Sequence, residues 1–465
     1  MPAITGNEYI QRIDRLNTTI WHNGEKISGR KSEHALFKGV IKAQAALYDL
    51  QHDKDKSSVM TFKSPDSGNR IGTSYLMPAS KEDLKKRSNM IQEWAKLSSG
   101  MLGRSPDYMN TVLMSLAAST DLLNDKENCF PENLFTFYKY ARENDLSFTH
   151  TFVNPQVNRS PFYMEDEEEP IAAKIIAETN DGLIIKGAKL LATQGGITDE
   201  LLVFSPGGVN DKKHAFAFSI PSDTDGLSFI SRESFYLGDS QYNYPLSSRF
   251  EEMDTIVVFD SVVIPWERVF FYKNIPTANS FQSKSAFRPF TLHQVLNRRI
   301  IKTGFFLELA EDIIQTIDIG DYAHVHEKMA EIIVTYESLK ALLLKAETNA
   351  AIDEFGLMRP EMASLQSANS LFSKMYPRII EIIQLLGASG LVTIPREADF
   401  TSEIRPALDQ YLQSAKLDAK ERVKLFRLAW DATMSPFGTR QTQYERFFFG
   451  NPSTFSTGLY RSYFS

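Results

Sequence analysis

"HQVLNRRIIKTGFFLELAEDIIQTI", residues 293–317, is the stretch on which the fold turns. Its apolar residues return at three- and four-residue steps, the period of an α-helix, over a length well beyond the average helix. Three later stretches read the same way: "HVHEKMAEIIVTYESLKALLLKAETNAAI" (324–352), "MASLQSANSLFSKMYPRIIEIIQLLGASG" (362–390) and "AKERVKLFRLAWDATM" (419–434). Four helices with wide apolar stripes predict an antiparallel bundle. Such faces also suit burial against another subunit, and periodicity does not separate the two.

Upstream the period drops to two. "GLIIKGAKLLAT" (182–193), "ELLVFS" (200–205), "HAFAFSIP" (214–221), "LSFISRESF" (227–235) and "TIVVFDSVVIPWERVFF" (255–271) are β-rich runs bounded by turn residues. No helical crossover separates them, so antiparallel pairing is expected. The acidic run "MEDEEEP" (164–170) reads as a solvated loop and not as a metal site. Before His150 the pattern is again mostly helical. "KEDLKKRSNMIQEWAKLSSGMLG" (81–103) spaces Leu84, Met90, Ile91, Trp94 and Leu97 helically, with Gly100 as the stop. The predicted order is helices, β-domain, helical bundle.

Composition narrows the function classes. The chain has 465 residues, 42% apolar and 23% charged, with 32 Phe and 18 Tyr, enough to bury a sizeable interior. A net charge of −7 offers no basic field for nucleic acid or anionic lipid. Cys129 is the only cysteine, which excludes internal disulfides and cysteine-held metal or iron–sulfur sites. No run is long and apolar enough to span a bilayer, and "MPAITGNEYIQRIDRL" lacks the layout of a signal peptide, so the expected address is the cytoplasm.

Six segments recur in a recognisable order: "LGRSPDYMN" (102–110), "THTFVNPQVNR" (149–159), "ATQGG" (192–196), "FDSVVIPWERVF" (259–270), "PREADF" (395–400) and "TRQTQYERFFFGNP" (439–452). Together they resemble the 4-hydroxyphenylacetate 3-hydroxylase family, the oxygenase components of two-component, reduced-flavin-dependent aromatic monooxygenases. The resemblance implies an α+β, acyl-CoA dehydrogenase-like fold: an N-terminal helical domain over 1–147, an antiparallel β-barrel domain over 148–277, and a C-terminal four-helix bundle with a flavin-contacting tail over 278–465. It also implies FAD, delivered as FADH2 by a separate flavin reductase. No "GxGxxG" fingerprint follows a strand to hold NAD(P)H. The implied reaction is ortho-hydroxylation of a phenol by O2 through a flavin C4a-hydroperoxide, in a homotetramer built as a dimer of dimers.

Residue roles carry over from the same motifs. Arg104, Tyr108 and His150 match the Arg, Tyr and His around the phenol oxygen in the family. Donors and a positive charge there lower the phenol's pKa, and a histidine can take its proton. Spaced four apart, Arg104 and Tyr108 would share one face of a helix; taken alone, such a pair reads as a surface contact. Gln156, Val157, Asn158 and Arg159 offer donors and acceptors for the rim and phosphate chain of a flavin. Thr193 matches a threonine on the reactive side of the ring, although a turn threonine reads as well locally. Gly450, Asn451, Pro452 and Ser453 form a tight turn assigned to the flavin. His293 matches a substrate histidine of chlorophenol-hydroxylating relatives, but a histidine near a helix start is as readily a cap or a packed residue.

The hairpin "FSPGGVNDKKHAF" (204–216) departs from the family pattern. Ser205 is assigned to substrate, but Pro206, Gly207 and Gly208 follow it, and no cation is placed to meet a substrate carboxylate. The related 4-hydroxybutyryl-CoA dehydratases hold an iron–sulfur cluster on three cysteines, which one cysteine cannot supply. A second class of reading is a non-catalytic flavin-binding or scaffold protein that keeps this fold. Arg104, Tyr108, His150 and Thr193, all intact, favour the oxygenase.

Overall fold

A computed structural model describes residues 3–156 and 170–464. The acidic run at 164–169 and the flavin assignments Val157, Asn158 and Arg159 lie outside the described residues.

Helices form where the apolar stripe runs and stop where local chemistry stops them. Ser80 caps the Lys81–Leu97 helix by accepting from the Asp83 amide, and Asp83 accepts in return from the Ser80 amide. Past its end Ser99 and Gly100 take positive φ, as the glycine stop predicts. Residues 293–317 lie in the Phe287–Ile317 helix, which starts six residues before His293. It packs with Ala323–Thr348, Met362–Gly387 and Ala419–Thr433 as the C-terminal bundle. Pro436–Phe447 then folds back along Met362–Gly387 and carries the last motif toward the middle of the molecule.

Between the helical parts lie two sheets. The larger has six strands in the order Glu25–Lys26, Thr19–His22, Leu227–Ser231, Asp254–Pro265, Gly182–Thr193, Lys174–Glu178. The smaller runs Val269–Tyr272, Phe216–Pro221, Glu200–Phe204, Phe148–Thr151. Their facing sides share one core, in which Phe218 and Phe259 meet edge to face at 6.2 Å.

The structure departs from two expectations. The sheets are open, so a closed barrel does not form among the described residues. Closure is unnecessary, because the smaller sheet is covered on both sides: Leu201, Val203 and Phe216 face the larger sheet, while Phe148, Leu202 and Phe204 pack on the helical part. Pairing is also not wholly antiparallel. Phe148–Thr151 runs parallel to Glu200–Phe204, and Thr19–His22 runs parallel to Leu227–Ser231. Both of these strands enter from the helical part through long connections, which parallel neighbours require.

Candidate active site

Four of the six sequence motifs converge where the smaller sheet, the N-terminal helices and Pro436–Phe447 meet. Pro106 starts the Pro106–Ala118 helix, so Arg104 lies in the preceding loop and the shared helix face expected for it and Tyr108 does not exist. They meet nevertheless, because the loop is held from behind. Glu252, fully buried, accepts from the amides of Gly103 and Arg104, both at 2.7 Å, and from Gln194 Nε2 at 3.0 Å. Gln44 and Gln194 donate to the Arg104 carbonyl.

The Arg104 guanidinium then lies 4.6 Å over the Tyr108 ring and 4.9 Å over Phe448. It donates to Tyr444 Oη at 2.7 Å, while its Nε is buried without a partner. Among the described residues no carboxylate pairs with it. His150, on the Phe148–Thr151 strand, sits 6.1 Å from the Tyr108 ring and stacks on Phe152 at 5.5 Å. Its Nδ1 is buried and unpartnered. Burial, reinforced by the Arg104 charge, holds this imidazole well below its ordinary pKa. It is therefore a neutral base beside an unpaired cation. Burial pushes the Tyr108 phenol up, against the pull of Arg104, so Tyr108 keeps its proton.

Thr193 ends the Gly182–Thr193 strand and is buried. Its hydroxyl donates to Asp254 Oδ1 at 2.8 Å. Burial pushes Asp254 up, but Arg440, with two contacts at 2.7 Å, and Arg232, at 3.0 Å, hold it far below the carboxylate range. Asp254 has no proton to give, so the bond consumes the Thr193 hydrogen and leaves its oxygen as an acceptor. Two residues earlier Leu191 takes φ 63° and is 59% exposed, close to the 39% exposed Ile256 of the neighbouring strand. A flat ring could lie on this apolar shelf with an N–H toward Thr193, so the residues present fit a reduced flavin.

His293 and Ser205 have partners outside the Arg104 cluster. His293 is buried among helices: its Nε2 is 3.1 Å from both Ser88 Oγ and Glu347 Oε1, and neither residue belongs to the Arg104 cluster. Burial lowers its pKa despite Glu347. The Ser205 hydroxyl donates to the His214 carbonyl at 2.6 Å, lies 2.9 Å from the Phe216 carbonyl and accepts from the Phe216 amide, which pins the hairpin to itself. Gly450 has φ 117°, and Asn451 accepts from the Thr454 amide at 2.8 Å, just ahead of Pro452–Phe464. Gly450, Asn451 and Ser453 are exposed and Pro452 is half-buried. Gln156 is exposed at the border of the described segment. Among the described residues no group of His, Cys, Asp and Glu could hold a metal ion.

Glu252, Asp254, Tyr444 and Phe448 were not singled out from the sequence. A signal existed for part of the set: Arg440, Tyr444 and Phe448 follow at four-residue steps and so line one helix face.

Known proteins resemble this chain over nearly its whole length. Residues 5–271 match the sequence profile of the 4-hydroxyphenylacetate 3-hydroxylase N-terminal region, and residues 278–464 match that of its C-terminal region. A probable 4-hydroxyphenylacetate 3-monooxygenase of Bacillus subtilis (strain 168) is 56% identical over 464 residues, covering 100% of this chain and 96% of its own. The 4-hydroxyphenylacetate 3-monooxygenase oxygenase component of Geobacillus sp. (strain PA-9) is 43% identical, covering 100% of this chain and 94% of its own. The crystal structure of an oxygenase component of 4-hydroxyphenylacetate 3-monooxygenase complexed with FAD and 4-hydroxyphenylacetate superposes with a TM-score of 0.93 at 42% identity, over 98% of this chain and 95% of that one. The chain belongs to the 4-hydroxyphenylacetate 3-hydroxylase family.

Proposed function

We propose that the protein is the oxygenase component of a two-component monooxygenase that uses reduced FAD to hydroxylate a phenol of the 4-hydroxyphenylacetate type ortho to its hydroxyl. The observation that carries this reading is the meeting of an Arg104 guanidinium, paired by no carboxylate among the described residues, with a neutral His150 whose Nδ1 is unpartnered, beside Tyr108.

When bound, reduced FAD supplies electrons that activate O2 toward the ring. The chain's own residues prepare the phenol. Arg104 holds charge against the phenol oxygen, and His150 Nδ1 takes its proton, which makes the ortho carbon electron-rich. Tyr108, which keeps its proton, donates a hydrogen bond to the same oxygen. Thr193 would meet the reacting edge of the flavin, and Gln156, Val157, Asn158, Arg159 and the turn Gly450–Asn451–Pro452–Ser453 would hold its rim and phosphates. His293 and Ser205 carry no step in this scheme.

A separate flavin reductase supplies the reduced FAD, and the working form is a cytoplasmic homotetramer. Val334 and Leu344, 64% and 66% exposed on Ala323–Thr348, support burial against another subunit. No helix of the described residues is long and apolar enough to cross a membrane.

The test is direct. Protein, chemically reduced FAD, O2 and 4-hydroxyphenylacetate, mixed without nicotinamide or reductase, should give a product heavier by one oxygen atom. Flavin oxidation with only peroxide formed, across 4-hydroxyphenylacetate and simple para-substituted phenols, would overturn the proposal.

A further inference from the structure

We propose that Tyr444 is a positioning residue for the phenol site: its hydroxyl aims the Arg104 guanidinium at the substrate oxygen and keeps it from pairing with Glu252. The inference rests on reading Arg104, Tyr108 and His150 as the phenol site.

Arg104 has a carboxylate close at hand. Glu252 is bound to its main-chain amide at 2.7 Å, and an arginine side chain free to turn would close an ion pair there. A neutralised Arg104 would have little to offer a phenol oxygen. What holds the guanidinium away is an aromatic box with two polar contacts, the Tyr444 hydroxyl and the Gly103 carbonyl, to which Arg104 Nη1 donates at 3.2 Å. Tyr108 and Phe448 cover it at 4.6 and 4.9 Å. Tyr444 Oη accepts from Arg104 Nη1 at 2.7 Å and donates to the Gly103 carbonyl at 3.2 Å. The tyrosine hydroxyl is thus oriented by the loop that carries Arg104, and it presents a lone pair to the cation. Among the described residues this is the only side chain that hydrogen-bonds the Arg104 guanidinium.

The other charges around Tyr444 are accounted for. Arg440 and Arg298 lie over its ring at 5.4 and 5.8 Å, but Arg440 is paired with Asp254 and Arg298 with Glu445. Glu252 is engaged by the amides of Gly103 and Arg104 and by Gln194, and it stands 3.9 Å from Arg440. His150 is neutral. Among the described residues around Tyr444, Arg104 is left as the cation available to a ligand.

Tyr444 is also dispensable as an anchor. The Pro436–Phe447 helix is fixed one residue away by Glu445, which meets Arg298, Arg299 and Lys302, and four residues earlier by Arg440 on Asp254. Losing the Tyr444 hydroxyl should therefore move Arg104 and leave the helix in place. Gly103 belongs to the same device. A Cβ there would lie 2.3 Å from Tyr444 Oη and 2.5 Å from Cζ, so only glycine lets the tyrosine reach the loop.

The experiment uses the full-length protein without flavin and two probes. 4-Nitrophenol reports its ionisation by absorbance; 4-nitroanisole has the same shape but no ionisable oxygen. In the parent, bound 4-nitrophenol should ionise at lower pH than free, and Arg104→Met should abolish that shift. Tyr444→Phe should weaken binding of the phenolate about tenfold, the scale of one lost charge-assisted contact. It should leave 4-nitroanisole within about twofold. Gly103→Ala, which drives Tyr444 off the guanidinium, should give the same signature and reads the contact if Tyr444→Phe folds poorly. Equal losses for both probes in both variants, or no loss for either, would overturn the inference while the phenol site stands. A parent with no ionisation shift, or a shift that survives Arg104→Met, would instead overturn the reading of the site itself.

Discussion

A hydroxyl has one proton to donate, and at Thr193 its recipient is fixed. Asp254, held ionised by Arg440 and Arg232, accepts the hydrogen bond from that O–H and leaves the Thr193 oxygen to accept. The N5 of a reduced flavin bears a hydrogen and that of an oxidised flavin does not, so a partner that can only accept distinguishes the two. Thr193→Val should weaken reduced FAD about fivefold, near 1 kcal/mol for one hydrogen bond, and leave oxidised FAD unchanged. Anaerobic and aerobic fluorescence titrations measure both affinities, and equal losses would contradict the assignment. Asp254 keeps its two arginines in this variant, so little stability should be lost. None of this was legible locally: "ATQGG" shows a threonine next to a turn, whereas its proton is settled by Asp254 and Arg440, 61 and 247 residues further along. His293 shows the same limit from the other side, because the partners that claim its ring lie on the Lys81–Leu97 and Ala323–Thr348 helices.

Among the elements, those with a long stripe were legible and those defined by distant partners were not. The Phe287–Ile317 helix is written into its own period. Thr19–His22 has four residues, too few to show a period, and becomes a strand because Leu227–Ser231 lies beside it. The Pro436–Phe447 helix stands between these cases. Its Arg440, Tyr444 and Phe448 spacing was visible, but Glu445 on another side decides where it docks. That carboxylate is completely buried and meets Arg298 at 2.6 Å, Lys302 at 2.9 Å and Arg299 at 3.0 Å. Burial disfavours its charge, yet the three cations hold it well below the carboxylate range. Removing one member of a buried ionic cluster leaves uncompensated charge, so Glu445→Gln should cost about 3–5 kcal/mol. Denaturant unfolding would measure the loss, and a cost under about 1 kcal/mol would show that the cluster does not anchor the helix.

At the scale of the whole molecule, stability responds to pH through two buried carboxyls whose pKa burial raises. Asp145, at the end of Pro131–Asn144, is raised to about 6 by burial, against the pull of Gln51 and the Ile4 amide. Glu200, on the strand beside Phe148–Thr151, is raised to about 7 by burial, against the pull of Arg268. Both folded-state pKa values lie above those of an unfolded chain, so the folded protein binds more protons in between. The stability these groups contribute is fully present below about pH 4 and is lost as pH rises through 6 and 7. For Glu200 the loss is about 3 kcal/mol. Glu200→Gln, which cannot ionise, should flatten the fall in stability between about pH 5 and pH 8. Urea unfolding of parent and variant at those two values tests it, and equal falls would contradict the assignment.

The scales meet at the phenol. If Arg104, Tyr108 and His150 prepare it as described, His150→Ala should still oxidise bound reduced FAD with O2, but the oxygen should leave as peroxide. Loss of general-base help typically costs about 10²- to 10⁴-fold, enough for peroxide release to outrun hydroxylation. The measurement is catechol and hydrogen peroxide formed per flavin oxidised, for parent and His150→Ala at saturating 4-hydroxyphenylacetate. The account predicts mainly catechol from the parent and almost entirely peroxide from the variant, with flavin affinity unchanged. A His150→Ala protein that couples flavin oxidation to catechol as well as the parent would contradict it.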